Sequence, residues 1–154
     1  MKKLSIIALV IALGCSSQKS ATVSKGGQGD TRTKAVESLN NNAYLLTETT
    51  EDKTYAYDRS NPVKVGGINE QSGPLNERRY LNGLLGPNGE EIMYARAGSC
   101  CNFKTPNGFI ENTGMLDIYR VTWTGSKDTV NIYINMYDKG DLKIPVGFTA
   151  RKKQ

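Results

Sequence analysis

The 154-residue sequence predicts an α+β fold: a mostly antiparallel β-sheet with one main helix, in a single small domain. Three observations lead there. "GMLDIYRVTWTG" and "DTVNIYINMYDKGD" are rich in β-branched and aromatic residues and follow one another across a short turn, the pattern of a β-hairpin. One segment alone, "GPLNERRYLNGLLGP", carries both helix start and helix stop signals. The strand–helix alternation that builds parallel sheets is missing.

Taken in order, "AYLLT" at 43–47 is a first strand or a docking segment, and "KTYAYDRSNPVKVGG" gives a strand at 54–57. A turn at Ser60-Asn61-Pro62 and a short strand at 63–65 follow, closed by Gly66-Gly67. The helix is expected over 74–85, with Pro74 in its first turn, Ser72 or Gly73 as cap and Gly86-Pro87 as its stop. Leu75, Leu81, Leu84 and Leu85 form its apolar side. A strand at 91–95 leads to the cysteines, which then sit in a loop over 98–108. In the hairpin, Val130, Ile132, Ile134 and Met136 alternate with Asn131, Tyr133, Asn135 and Tyr137, one face apolar and the other polar and aromatic. On its first strand Met115, Tyr119, Val121 and Trp123 share one side, with Leu116 and Ile118 on the other. "DLKIPVGFT" closes the chain as an edge strand, because Pro145 cannot donate to a ladder.

The N-terminus carries an address. Lys2 and Lys3 precede an apolar run, Leu4 to Leu13, too short to span about 30 Å of hydrocarbon. The run ends in Ala12-Leu13-Gly14-Cys15, a string that resembles the bacterial lipobox. That resemblance makes 1–14 a signal peptide and Cys15 the acylated first residue of the mature chain, bearing a diacylglyceryl thioether and an N-linked acyl chain such as palmitate. Several acyl chains anchor far more firmly than one. Ser16, rather than Asp, at the next position favours the outer membrane, and the absence of an acidic export signal in "SSQKS" favours its periplasmic side. Residues 15–50 read as the lipidated cysteine and a flexible tether, leaving 51–154 as the globular part.

Composition excludes several function classes. The net charge of +5 falls to about +3 without Lys2 and Lys3, and the remaining basic residues are scattered apart from Arg78-Arg79 and the terminal "RKKQ". A nucleic-acid surface needs a denser basic stripe with aromatics between the charges, so no nucleic-acid partner is expected. The chain has no histidine, which removes Ser-His-Asp and Cys-His catalysis and His-ligated metals. No cofactor or metal is expected, and no catalytic residue can be assigned.

"NPVKVGG", "GPLNERRYLNGLLGPNGE", "AGSCCNFKTPNG", "GMLDIYRVTW" and "YINMYDKGDLKIPVGF" together resemble an uncharacterised family of short lipoproteins from Bacteroidetes-type bacteria, over about residues 53–149. Some members carry the label 2-dehydro-3-deoxyphosphooctonate aldolase. That chemistry belongs to a TIM barrel of about 250 residues acting on cytoplasmic substrates, and a globular part of about 100 residues lacks the alternating units it needs. What the resemblance implies is therefore a membrane-anchored envelope protein without an assigned activity.

Three constellations remain. In "AGSCCNF", Cys100 and Cys101 are the only cysteines besides Cys15. An oxidising envelope favours disulfides, yet adjacent Cα atoms lie about 3.8 Å apart where ordinary bridges want about 4.4–6.8 Å. A vicinal disulfide that stiffens a turn or presents a ligand surface competes with two packed thiols, and a redox dithiol lacks the CxxC spacing. Arg78 and Arg79 offer a clamp for a carboxylate or phosphate, or else a solvated helix face. Tyr119, Trp123, Tyr133 and Tyr137 with Asn131 and Asn135 offer a surface on which a sugar could stack, or else ordinary core packing. The expected function is a lipid-anchored binding or structural module whose partner is an envelope glycan or another envelope protein. The alternative is a histidine-independent enzyme on envelope glycan or lipid, using Asp117 or Asp138 with Arg78 or Arg79.

Overall fold

A computed structural model describes residues 29–127 and 129–153. The segment expected to be a signal peptide, 1–14, and Cys15 lie outside the described residues. Chain order gives β1 (Ser38–Asn40), β2 (Ala43–Tyr44), β3 (Val63–Lys64), α1 (Gly73–Gly83), β4 (Leu84–Leu85), β5 (Ile92–Lys104), β6 (Thr113–Trp123), β7 (Val130–Asn135) and β8 (Thr149–Ala150). The fold is α+β, with one helix among the described residues.

The hairpin read from the sequence is the centre of the main sheet. β6 and β7 pair antiparallel in a register that sets Tyr119 opposite Ile132 and Asp117 opposite Ile134. The sheet order is β3-β7-β6-β5, with β3 parallel to β7 and the other pairs antiparallel. Two short pairs, β1-β2 and β4-β8, stand beside it. The principal core lies on one face of the sheet under α1, where Tyr80, Leu81 and Leu84 meet Val63, Val65, Val121, Ile132 and Ile134. A smaller buried set on the opposite face holds Phe103 and Leu116, with the Phe103 ring edge-on to Tyr137 at 5.9 Å.

Several expectations are corrected. The helix ends at Gly83 rather than at residue 85, because Leu84 and Leu85 turn extended and pair with β8. Its last carbonyls are capped from far along the chain: the Arg151 amide donates to Gly83 O at 3.0 Å and its guanidinium to Asn82 O at 2.8 Å. Gly83 is needed there, since a Cβ would lie 2.6 Å from the Tyr44 carbonyl oxygen. Ser72 holds the N-cap position, but its hydroxyl bonds Gly67 O instead of a helix amide. The apolar side of α1 also differs, with Leu75 36 % exposed and Glu77 buried in its place.

No strand forms at 54–57. Asp52 and Asp58 accept from residues two positions ahead, Thr54 and Ser60, at 2.8 and 2.7 Å, and Ala56 takes a φ of 71°. These Asx turns coil the backbone in spite of its β-prone composition. The cysteines do not sit in a loop either. β5 runs through them, broken by register shifts at Arg96/Gly98 and Cys100/Phe103, and such bulges hide the alternation that marks a strand. At the C-terminal end, Ile144 bridges Thr49 and only Thr149–Ala150 form a strand.

The largest difference is the start of the fold. Residues 30–50 belong to it rather than to a tether. The Thr31 and Arg32 amides donate to Lys139 O at 2.7 and 3.0 Å. The Arg32 guanidinium donates to Gly140 O, Lys64 O and Val65 O, and Thr33 and Lys34 bond Asp141. The polar start of this segment, 30–34, is held by hydrogen bonds to backbone carbonyls and to the Asp141 carboxylate, so its composition resembles that of a linker, whereas Ala43, Tyr44 and Leu46 are buried further on.

Candidate functional site

The residues singled out from the sequence are not brought to one place. Arg78 is exposed on α1, while Arg79 turns away to Asn41 O at 3.0 Å and Asn76 Oδ1 at 3.3 Å. Neighbours on a helix diverge by about 100°, so the pair makes no clamp. The aromatic set divides through the register of the hairpin. Residues directly opposite share a face, so Tyr119 lies with Ile132 on the core side and Tyr133 with Ile118 on the other. Trp123 packs edge-on against Phe148 at 5.5 Å. Tyr137 meets Phe103 and Phe109 across the sheet, and Asn135 is fully buried. Asn131 is exposed.

What the fold does assemble is a carboxyl pair between α1 and β6. Asp117, 3 % exposed, accepts two parallel bonds from Arg96, Nε to Oδ2 at 2.6 Å and Nη2 to Oδ1 at 2.8 Å. The Ser99 hydroxyl donates to the same Oδ1 at 2.8 Å. These are cross-strand partners, since Ser99 faces Asp117 in the β5-β6 register and Arg96 faces Tyr119. Glu77 comes down from the helix onto the same side and is fully buried, accepting from the Tyr119 hydroxyl at 2.9 Å. Its Oε1 has no hydrogen-bond partner among the described residues. Burial, and then the neighbouring Asp117 carboxylate, push the Glu77 carboxyl up to about 8. The same burial and the adjacent Glu77 raise the Tyr119 hydroxyl.

A carboxyl whose proton exchanges near neutral pH is the kind of group that general acid–base chemistry uses. Its partner Asp117 is committed to Arg96 rather than to Arg78 or Arg79. Both carboxyls are buried beneath the helix, and the surface clefts open elsewhere, as between Lys34, Glu48 and Asp141 or beside Tyr55, Asn61 and Lys64.

Asp138, the other candidate acid, is fully buried in a network of its own. Its Oδ1 accepts from the Thr105 hydroxyl and from Asn107 Nδ2, and its Oδ2 from Asn135 Nδ2 at 2.9 Å. Its amide donates to Asn135 Oδ1 at 3.0 Å. The network joins the 105–107 turn to the end of β7.

Cys100 and Cys101 are bonded to each other through their sulfurs, with Cα atoms 3.7 Å apart. Neighbouring side chains in a regular strand point to opposite faces. Cys101 takes a φ of 60°, and the bulge there breaks the alternation so that the two sulfurs meet. Both residues are half-buried near the end of the strand that carries Arg96 and Ser99. Among the described residues no group of three or more Asp, Glu or Cys converges as a metal site, and no helix is long and apolar enough to cross a membrane.

Sequence reasoning missed Glu77, Arg96 and Ser99. A signal existed for the first: Glu77 falls on the helical stripe of Gly73, Tyr80, Leu81 and Leu84, where an acid is out of place. Arg96 and Ser99 had none, because a bulge separates them. No family model, curated protein or solved structure matches the chain.

Proposed function

We propose that the chain is a lipid-anchored, non-enzymatic binding or structural module of the cell envelope, held at the outer membrane through acylated Cys15 and facing the periplasm. The observation that carries this reading is the N-terminal order of Lys2-Lys3, a short apolar run and Gly14-Cys15. The bonded Cys100–Cys101 pair is in keeping with an oxidising compartment. The buried carboxylates Asp117 and Asp138 are engaged inside the fold, which agrees with a structural use for both. The proposed partner is an envelope glycan or another envelope protein, and the resemblance to the uncharacterised lipoprotein family belongs to the same proposal. An aldolase reading finds no support in a fold with a single helix among the described residues, where a TIM barrel needs about eight.

Expression with a clickable palmitate analogue tests the anchor. Label on the wild-type chain and none on Cys15→Ser, with the variant leaving the membrane fraction, is the expected result. An unlabelled wild-type chain recovered from the soluble fraction overturns it. The second reading, a histidine-independent enzyme on envelope glycan or lipid, draws on the Glu77 carboxyl raised beside Asp117. Turnover of envelope glycan that is lost in Glu77→Gln while the fold persists would favour it over the first.

A further inference from the structure

We infer that the turn between β5 and β6 is a second membrane contact, an apolar tip that enters the lipid headgroup layer beside the acyl anchor. The inference rests on the Cys15 anchor proposed above. Phe109 and Ile110 are 69 % and 76 % exposed, the two most exposed large apolar side chains among the described residues. They are adjacent, and they stand at the extremity of the longest hairpin. Tyr137 meets the Phe109 ring edge-on at 6.4 Å, and Lys104 reaches across the turn to Glu111 O at 3.0 Å. Apolar side chains backed by a tyrosine and a lysine are the usual makeup of a segment lying at the lipid–water boundary.

The tip is held outward by design of the backbone. Thr113 N donates to Ile110 O at 2.9 Å, and the two residues between, Glu111 and Asn112, take φ values of 48° and 53°. Two successive positive φ values define the primed hairpin turn, which normally asks for Asn-Gly; here Glu111 bears the strain. Below the tip, Thr105 N bonds Asn112 O at 2.9 Å, and Asn107 is fixed to Asp138. The backbone on both sides of the apolar pair is thereby held by hydrogen bonds.

The described chain begins at this same corner. Gly29 lies against Pro106, to which its Cβ would be 3.2 Å, and Asp30 Oδ1 accepts from Asn107 Nδ2 at 3.0 Å. Residues 16–28 connect that corner to Cys15, a length that spans no more than about 50 Å even when fully extended. An anchor at Cys15 thus enters the fold next to Phe109 and Ile110. The opposite end of the sheet, where Ile92 pairs with Trp123, is removed from the tip by most of the length of β5, roughly 35 Å.

The single tryptophan makes this testable on the acylated full-length mature chain in phosphatidylethanolamine/phosphatidylglycerol vesicles with brominated acyl chains. Trp123 stays unquenched, whereas Phe109→Trp adds a component that loses at least half of its emission; Ile110→Trp is a second probe should the first misfold. Acylated protein in which neither probe is quenched, or in which Trp123 is quenched instead, overturns the tip and leaves the anchor standing. A probe unquenched by lipid yet shielded from acrylamide marks a protein or a second copy on the tip and also overturns it. Unacylated protein with a quenched probe keeps the tip and removes the anchor. Unacylated protein that does not bind vesicles removes both.

Discussion

Asp138 and Glu77 are both fully buried acids, and the fold treats them in opposite ways. Asp138 has acceptor bonds on both carboxylate oxygens and ties the 105–107 turn to the end of β7. Glu77 has one oxygen on Tyr119, the other without a hydrogen-bond partner among the described residues, and a second carboxylate close by. Burial alone therefore does not set what an acid does. Supply of donors turns one into a latch, and shortage of donors turns the other into a group that holds its proton near neutrality.

The comparison breaks most visibly at the latch. Asp138→Ala takes the buried acceptor from the Thr105 hydroxyl and breaks the side-chain bonds that Asn107 and Asn135 make to the carboxylate, and should cost about 3 kcal/mol of stability. The urea midpoint measures it, and hydrogen exchange at the Gly108 and Thr113 amides should accelerate with it. A loss below about 1 kcal/mol would mean that Asp138 is no latch.

Next comes the pH response of Glu77. Its folded pKa lies above its ordinary value of 4.5, near 8, so the folded state binds the proton more tightly than the unfolded state. The stabilisation is fully present below about pH 4.5 and is lost as pH rises through about 8. In that window stability should fall by up to about 1.4 kcal/mol per pH unit. Glu77→Gln removes the titrating proton, and its stability plotted against pH should be flatter than that of the wild type between pH 5 and pH 8. Parallel curves would assign the slope to other groups and erase the contrast with Asp138.

The smallest effect belongs to the disulfide. Closing a loop between adjacent residues removes little freedom from the unfolded chain, so Cys100→Ser/Cys101→Ser should change stability by less than about 1 kcal/mol. Thiol titration of denatured protein should find no free thiol from this pair. A loss as large as that of Asp138→Ala would make the bridge a structural staple.

How far the sequence could be read follows from the range of the forces involved. The β6-β7 hairpin was legible because alternation and a short turn are local signals, and so was α1, through Pro74 and its apolar stripe. The helix end was misplaced because β8, far along the chain, captures Leu84 and Leu85. The strand at 54–57 failed because two Asx turns outweigh β propensity. That Tyr119 and Tyr133 fall on opposite faces is a matter of register, and strand composition carries no such information. Arg96 and Ser99 reach Asp117 only because a bulge at Gly98 resets the face of β5.

The early entry of the chain has a mechanical meaning. Any pull applied through the N-terminal side reaches the fold at Gly29 and Asp30, which bond Lys64, Asn107 and Lys139, and then at Thr31 and Arg32, which grip Lys139, Gly140, Lys64 and Val65. Val65 and Lys64 continue from the strand beside β7, so the load passes directly into the central sheet without crossing a hinge. Tension from that side would drag the whole body as one piece, and the helix and the β4-β8 pair would feel the force last.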